Sequence, residues 1–404
     1  MTLSKVYNKY DCFIIFLISS LVLGNIGGSF QLIRIISFLF LPFVIKKKYS
    51  SIWKKCTTFF LLWFIYASIS LIWTKDYAQG LKELFYFVPH MGSFFLIPYL
   101  GNRANKPMSS LLLGWLVYLI LASPFAFYEI FTDQHFGNLE AKEQNYGAGI
   151  VEIKKYSALF YANYNTFVLY LCYAMPFLFS YLLYEKKRNL QVLGWIGIAI
   201  LVFILLINAS RGGLLVFGIT ICVFPFYYRK IEFKNKNIIV SIIFIVLLYV
   251  VIENSEIIFS QFLNRFVLSD NVSFSSDNSR MELFNIGINL WYNSYGFGTG
   301  IGSMIPCMAS MSKSGILANH NLFIEILMQY CTIIFLLFLS HFLFLLKRIR
   351  QKKTFSPSHF ILVTSLLTIP ILSIINSIYL VIPSTWIYFS SLLYIAERFD
   401  NKNS

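Results

Sequence analysis

Long apolar runs recur along this chain at the length needed to cross a hydrocarbon layer, and few architectures can be built from them. A span needs roughly 17–25 predominantly apolar residues, and the runs at 109–131, 157–184, 190–207 and 322–346 reach that length. Over the 404 residues, 57% are hydrophobic and only 13% are charged. Lipid offers no partner for backbone N–H and C=O, so a crossing segment must be a helix or part of a closed barrel. The runs are continuous and rich in Leu, Ile and Phe, without the alternation a barrel strand requires. The fold class is therefore an all-α polytopic membrane protein. Apolar segments fall at 12–28, 30–45, 57–73, 84–100, 109–131, 157–184, 190–207, 212–228, 237–252, 322–346, 358–378 and 380–396. They predict about twelve transmembrane helices in a single integral membrane domain over 1–404.

The net charge of +15 would point to nucleic acid in a soluble protein. Here the basic residues gather in alternate short loops. One set holds Lys46, Lys47, Lys48, Lys54 and Lys55, then Arg103 and Lys106, and then Lys186, Lys187 and Arg188. It continues with Arg229, Lys230, Lys234 and Lys236, and with Lys347, Arg348, Arg350, Lys352 and Lys353. This is the pattern of cytoplasmic loops. It predicts a multi-pass protein with both termini cytoplasmic, lipid as its surroundings and no nucleic-acid partner. Lys5 and Lys9 ahead of the first apolar run resemble a signal peptide, but with many spans downstream that run reads as an uncleaved first helix. The six cysteines and five histidines show no C-x-x-C, H-x-x-x-H or H-E-x-x-H spacing, so no metal site is expected.

Two sizeable segments are left for the outer side. One covers 132–156 and is rich in Asp, Glu and Asn; the other covers 253–321 and is too long for a turn and too polar for lipid. Within the second, apolar periodicity over 256–267 predicts a short helix on the bilayer surface. A Ser, Asp and Asn run over 269–279 predicts a loop. Ser279-Arg280-Met281-Glu282 fits the S-x-x-E capping box, which puts Arg280 in the first turn of a helix running to Trp291. Gly296, Gly298, Gly300 and Gly302 alternate in a block that is neither a Walker loop nor a dinucleotide-binding turn. The block reads either as a tight flexible connection or as a close approach of backbone to a ligand.

Ser210-Arg211-Gly212-Gly213 has a parallel setting. Ser210 can cap a helix, and the glycines would let backbone approach whatever Arg211 holds. Two arginines at two helix starts on one membrane side suit a diphosphate, since guanidinium binds phosphate oxygens bidentately; the alternative is that each snorkels to headgroups. His320 lies at the outer mouth of the next apolar run, where an imidazole can take a proton from a hydroxyl or simply be hydrogen-bonded into the structure. Glu325 lies inside that run, either orienting neighbouring polar groups or in a structural pairing. Arg34 either adds a phosphate contact or snorkels.

These motifs resemble the O-antigen ligase and polymerase superfamily of bacterial membrane glycosyltransferases. The resemblance covers about Ser157 to Tyr330. Asn163-Tyr164-Asn165 resembles the family's Asn-Pro-Asn-like element, with Tyr164 at the proline. Ser210-Arg211-Gly212 matches its Ser-Arg-Gly. Asp277 to Trp291 followed by Gly296-Phe297-Gly298 resembles its Arg…Pro-x-Gly-x-Gly block, with Ser294-Tyr295 in place of the proline. His320-Asn321 with Glu325 matches its His-Asn-x-x-x-Glu. The resemblance implies a metal-independent, inverting GT-C-type enzyme of the bacterial inner membrane, with no cofactor and its active site on the outer face. His320 would be the base, Arg211 and Arg280 would hold the lipid diphosphate, and Ser210, Gly212, Asn321, Glu325 and Asn165 would support them.

The chemistry is consistent with that assignment. Attack of a sugar hydroxyl on the anomeric carbon expels undecaprenyl diphosphate, and positioned arginines stabilise the charge that grows on the bridging oxygen. The expected substrate is an undecaprenyl-diphosphate-linked oligosaccharide, with a chain-length regulator as a further expected partner. The leading expectation is a polymerase of O-antigen or capsular repeat units. Its runner-up is a ligase to lipid A core or another acceptor, followed by a flippase, which would place charges at mid-membrane along a path and often shows repeated halves.

Overall fold

The computed structural model describes residues 6–45, 50–136, 156–161, 163–228, 276–312, 319–351 and 355–398. Expectations for the surface helix at 256–267, the span at 237–252, the loop at 269–275 and most of the 132–156 segment lie outside the described residues. No strand occurs among the described residues, and the protein is an all-helical, polytopic membrane protein.

The α-helices, in chain order, are α1 (Lys9–Ser19), α2 (Leu32–Ile45), α3 (Ser51–Ser70), α4 (Tyr77–Gly101), α5 (Pro107–Thr132), α6 (Tyr164–Tyr184) and α7 (Arg188–Ile207). They continue with α8 (Arg211–Tyr228), α9 (Ser276–Asn293), α10 (Met304–Met311), α11 (Leu322–Gln329), α12 (Thr332–Gln351), α13 (Pro357–Ile375) and α14 (Pro383–Arg398). Among the described residues, seven are long and apolar enough to cross a membrane: α4, α5, α6, α7, α8, α12 and α13. The other expected spans form shorter or more polar helices, or lie outside the described residues. The first run is one example. Its helix α1 ends in a 3-10 turn at Ser20–Leu23, and Gly24 then takes φ +51° with the Phe160 carbonyl 2.6 Å from where a Cβ would stand. The run at 322–346 is another, broken between α11 and α12 at Tyr330–Cys331.

The chain divides into two compact units. The first contains α1, α5, α6, α7, α8 and most of α13. Its centre is α6, buried at nearly every position from Thr166 to Leu182. Helices α5, α7 and α8 all pack on α6. Since α6, α7 and α8 are joined by short connections and reverse direction in turn, the N-termini of α6 and α8 share one end of this unit. Val168 Cγ1, in the first turns of α6, accordingly lies 3.0 Å from where a Cβ on Gly213 would stand.

The second unit contains α2, α3, α4, α9 to α12 and α14. Its core is aromatic: Phe60 and Trp63 of α3 pack against Phe87, Phe94 and Phe95 of α4 and Trp386 of α14 with ring centroids 4.8–6.0 Å apart. Such rings bury large areas at low conformational cost.

Candidate functional site

In the second unit, helix α9, which carries Arg280, packs against the segment that carries His320. Leu283, Gly287 and Leu290 follow Arg280 at spacings of three, four and three and form one buried stripe. Glycine at 287 lets the helix approach closely: a Cβ there would meet the Ile324 side chain and stand 2.7 Å from Asn319 Nδ2. Asn319 is buried and its Nδ2 donates to the Leu283 carbonyl at 3.3 Å. Helix α9 begins at Ser276, three residues ahead of the expected cap at Ser279. Arg280 is therefore the fifth residue of the helix, beyond the first turn, and the helix N-terminus does not share its charge as expected. Its Nη1 donates to the Ile374 carbonyl at 3.4 Å, a long bond that leaves the guanidinium partly exposed.

His320 precedes α11. Burial holds its imidazole down at a pKa of about 4, with the positive charge of Arg280 adding to the effect. At neutral pH the ring is therefore uncharged and can accept a proton. Its Nδ1 is buried with no hydrogen-bond partner among the described residues. Asn321 is the N-cap of α11, its Oδ1 accepting from the N–H groups of Phe323 at 2.9 Å and Ile324 at 3.2 Å. Glu325 is fully buried, and its carboxylate accepts from the N–H groups of Tyr379 at 2.8 Å and Leu380 at 3.2 Å. These open the 3-10 turn Tyr379–Val381. Arg34 holds the other end, donating from Nη2 to the Val381 carbonyl at 2.9 Å while its guanidinium lies 4.1 Å from the Tyr86 ring centroid. Arg34 is thus buried and not snorkelling, and together with Glu325 it clamps one turn.

The glycine block is built into this unit as structure. All four glycines have positive φ, +79°, +74°, +93° and +76°, the conformation that glycine adopts without steric cost. Their backbone lies along the break between α11 and α12. Thr299 N–H donates to Met328 O at 2.7 Å, Gly300 N–H to Gln329 O at 3.1 Å and Thr332 N–H to Gly296 O at 2.9 Å. Gln329 Oε1 accepts from Gly302 N–H at 3.0 Å. The close approach is thus of backbone to backbone, and it supplies partners to groups that a broken helix would otherwise leave unsatisfied. Tyr295, of the Ser294-Tyr295 pair that stands in place of the resembled block's proline, takes φ +53°, which a proline ring cannot adopt.

Arg211 lies in the first unit, as the first residue of α8. Ser210 does cap that helix, its Oγ accepting from Gly213 N–H at 3.2 Å. Gly213 is needed for packing, since a Cβ would stand 2.9 Å from Leu205 Cδ2 and 3.0 Å from Val168 Cγ1. Gly212 is half-buried beside it. Asn163 is the N-cap of α6, accepting from Thr166 N–H at 2.9 Å. Asn165 is half-buried in the first turn, at the same end of the unit as Arg211.

Sequence reasoning missed Glu129, fully buried near the end of α5. Its carboxylate accepts from Ser157 Oγ, Ala158 N–H and Leu159 N–H at 2.7–2.8 Å and from Phe136 N–H at 2.9 Å. Asn208 then pairs with the backbone of Ser157 through both its amide oxygen and its amide nitrogen, at 2.7 and 3.2 Å. This network fixes the chain immediately ahead of Ser210-Arg211. The available signal was a single carboxylate inside an apolar run.

Residues 196–339 match the family model described as O-antigen ligase (Wzy_C). That interval contains Arg211, Arg280, the glycine block, His320 and Glu325. The chain is also 26% identical, over 299 residues, to the teichuronic acid biosynthesis protein TuaE of Bacillus subtilis (strain 168). The match covers 71% of this chain and 59% of that relative, which is less than two thirds of its length. The two findings support the O-antigen ligase and polymerase superfamily.

Proposed function

We propose that this protein joins polysaccharide units carried on a polyprenyl diphosphate, by glycosyl transfer at the outer face of a bacterial inner membrane. The observation that carries the proposal is the placement in one unit of Arg280 with an uncharged, half-buried His320 whose buried Nδ1 has no partner among the described residues. A neutral imidazole can accept the proton of an attacking sugar hydroxyl. The guanidinium beside it can stabilise the diphosphate as it leaves. An anion bound at Arg280 would also offset the charge that depresses His320, raising its basicity when substrate is present. Arg211, in the other unit, is the second arginine assigned to the lipid anion and is tested by its own substitution. Asn321 and Ser210 act by capping helices, Glu325 by holding the Tyr379–Val381 turn.

We favour polymerisation of undecaprenyl-diphosphate-linked repeat units. The teichuronic acid assignment of the relative, itself a polysaccharide pathway, supports that reading. The description of the family model keeps ligation to a separate acceptor as the second reading. Surface polysaccharide from a deletion strain, run on a gel with and without the restored gene, separates them. A polymerase predicts single repeat units on the surface anchor after deletion and a ladder on restoration. A ligase predicts loss of all surface-attached glycan with long chains on the lipid carrier. An unchanged gel would contradict both.

A further inference from the structure

A second feature of the second unit lies at its basic end, far along α12 from the α11 break. A groove of about 930 Å³ runs between α3 and α12. Its mouth is lined by Lys54, Lys55, Lys347 and Arg348, and no carboxylate lines it. Among the described residues, Lys54, Lys55 and Lys347 form no ion pair. Lys347 and Arg348, near the C-terminus of α12, complement that helix's dipole, but Lys54 and Lys55 lie close to the N-terminus of α3, where the dipole opposes them. A dipole role therefore does not account for the cluster; the cytoplasmic bias of basic residues sets their side of the membrane, and their gathering around one concavity suits an anion.

Deeper in, the walls become mainly apolar through Phe59, Leu62, Leu337 and Phe344, with Thr58, Ser340 and His341 among them. At 1.5 Å of rise per residue, Leu62 lies about 12 Å below Lys54 and Leu337 about 15 Å below Lys347. An occupant must thus carry negative charge at one end and hydrocarbon for at least that depth. We propose that this groove binds one anionic glycerophospholipid, its phosphate among Lys54, Lys55, Lys347 and Arg348 and its acyl chains along Phe59, Leu62 and Leu337. Arg348 is oriented for this by its position 5.1 Å from the Phe344 ring centroid. Clusters of basic residues at a membrane surface attract anionic headgroups in this way.

The test uses the full chain in uncharged detergent and counts retained lipid by native mass spectrometry, with dioleoylphosphatidylglycerol and dioleoylphosphatidylcholine as probes. The wild-type chain is expected to retain one phosphatidylglycerol with about tenfold preference over phosphatidylcholine, and the triple variant K54Q/K55Q/K347Q to lose about tenfold of that retention. The control triple K186Q/K187Q/R188Q, which removes equal charge elsewhere, is expected to change it less than about twofold. Leu62→Trp fills the groove without altering charge and should also displace the lipid, which keeps the proposal testable if the first triple fails to fold. Equal retention of the two lipids, equal loss in both triples, or undiminished binding in L62W would overturn it. So would displacement of the lipid by inorganic phosphate and not by chloride of the same ionic strength, which would mark a site for free anions.

Discussion

Glu325 is an ionisable residue inside an apolar run that the structure ties to backbone N–H groups. It accepts from the buried N–H groups of Tyr379 and Leu380, so Glu325→Ala should cost about 1–3 kcal/mol for the hydrogen bonds removed. Glu325→Gln, which keeps an acceptor oxygen, should cost less; thermal melting in detergent checks the order. His320 makes the opposite kind of prediction. Its folded pKa of about 4 lies below the unfolded value near 6.5, so the unfolded chain binds more protons between those values. The stability from keeping this ring neutral is complete above pH ~6.5 and is lost as pH falls towards 4. Activity should follow the same direction, falling on the acid side as the base is protonated. In His320→Ala that acid limb should vanish along with most of the activity, and a pH profile of residual transfer would reveal it. Arg280→Lys and Arg211→Lys should each cost about tenfold or more in transfer, because lysine lacks the bidentate fork; near-normal rates in either would reduce that arginine to a structural role.

Among the elements, helices with long unbroken apolar runs were legible because burial on all sides leaves a plain compositional mark. Breaks were not. The run at 322–346 carries no proline or glycine, and its break at Tyr330–Cys331 is matched by a partner about thirty residues earlier, the glycine block. Conversely, the alternating glycines were visible, but their partner was not, so backbone contact could not be told from ligand contact. Gly298→Ala tests this account. A Cβ there meets the Tyr330 carbonyl, and φ +74° strains any L residue. The change should destabilise by at least ~2 kcal/mol and lower the yield of folded protein, read by melting temperature. An unaffected melting point would mean that the block is free to serve a ligand instead. The start of α9 was misplaced for a similar reason: the capping box at Ser279 is a local signal, and helix residues ahead of it need no cap to extend.

For the molecule as a whole, membrane class and helical fold were dictated by hydropathy, and the residues later grouped by the family match were already marked as polar clusters at the ends of apolar runs. The pairing of Arg280 with His320 follows from a stripe on α9, Leu283, Gly287 and Leu290, that a single sequence shows only as three ordinary residues. Glu129 was hidden because its partners sit at 157–159, beyond the reach of local pattern. The division into two units left no compositional trace at all, since each unit draws segments from three parts of the chain. The central claim is that the Arg280–His320 pair transfers a glycan from a lipid diphosphate. The most direct measurement is product formation by the purified chain in liposomes, supplied with a polyprenyl-diphosphate-linked oligosaccharide and nothing else, comparing wild type with His320→Ala and Arg280→Ala. The account predicts lengthened glycan and released polyprenyl diphosphate from the wild type, and a loss of at least ~100-fold in both variants while each still melts as a folded protein. Undiminished transfer by folded His320→Ala would contradict it.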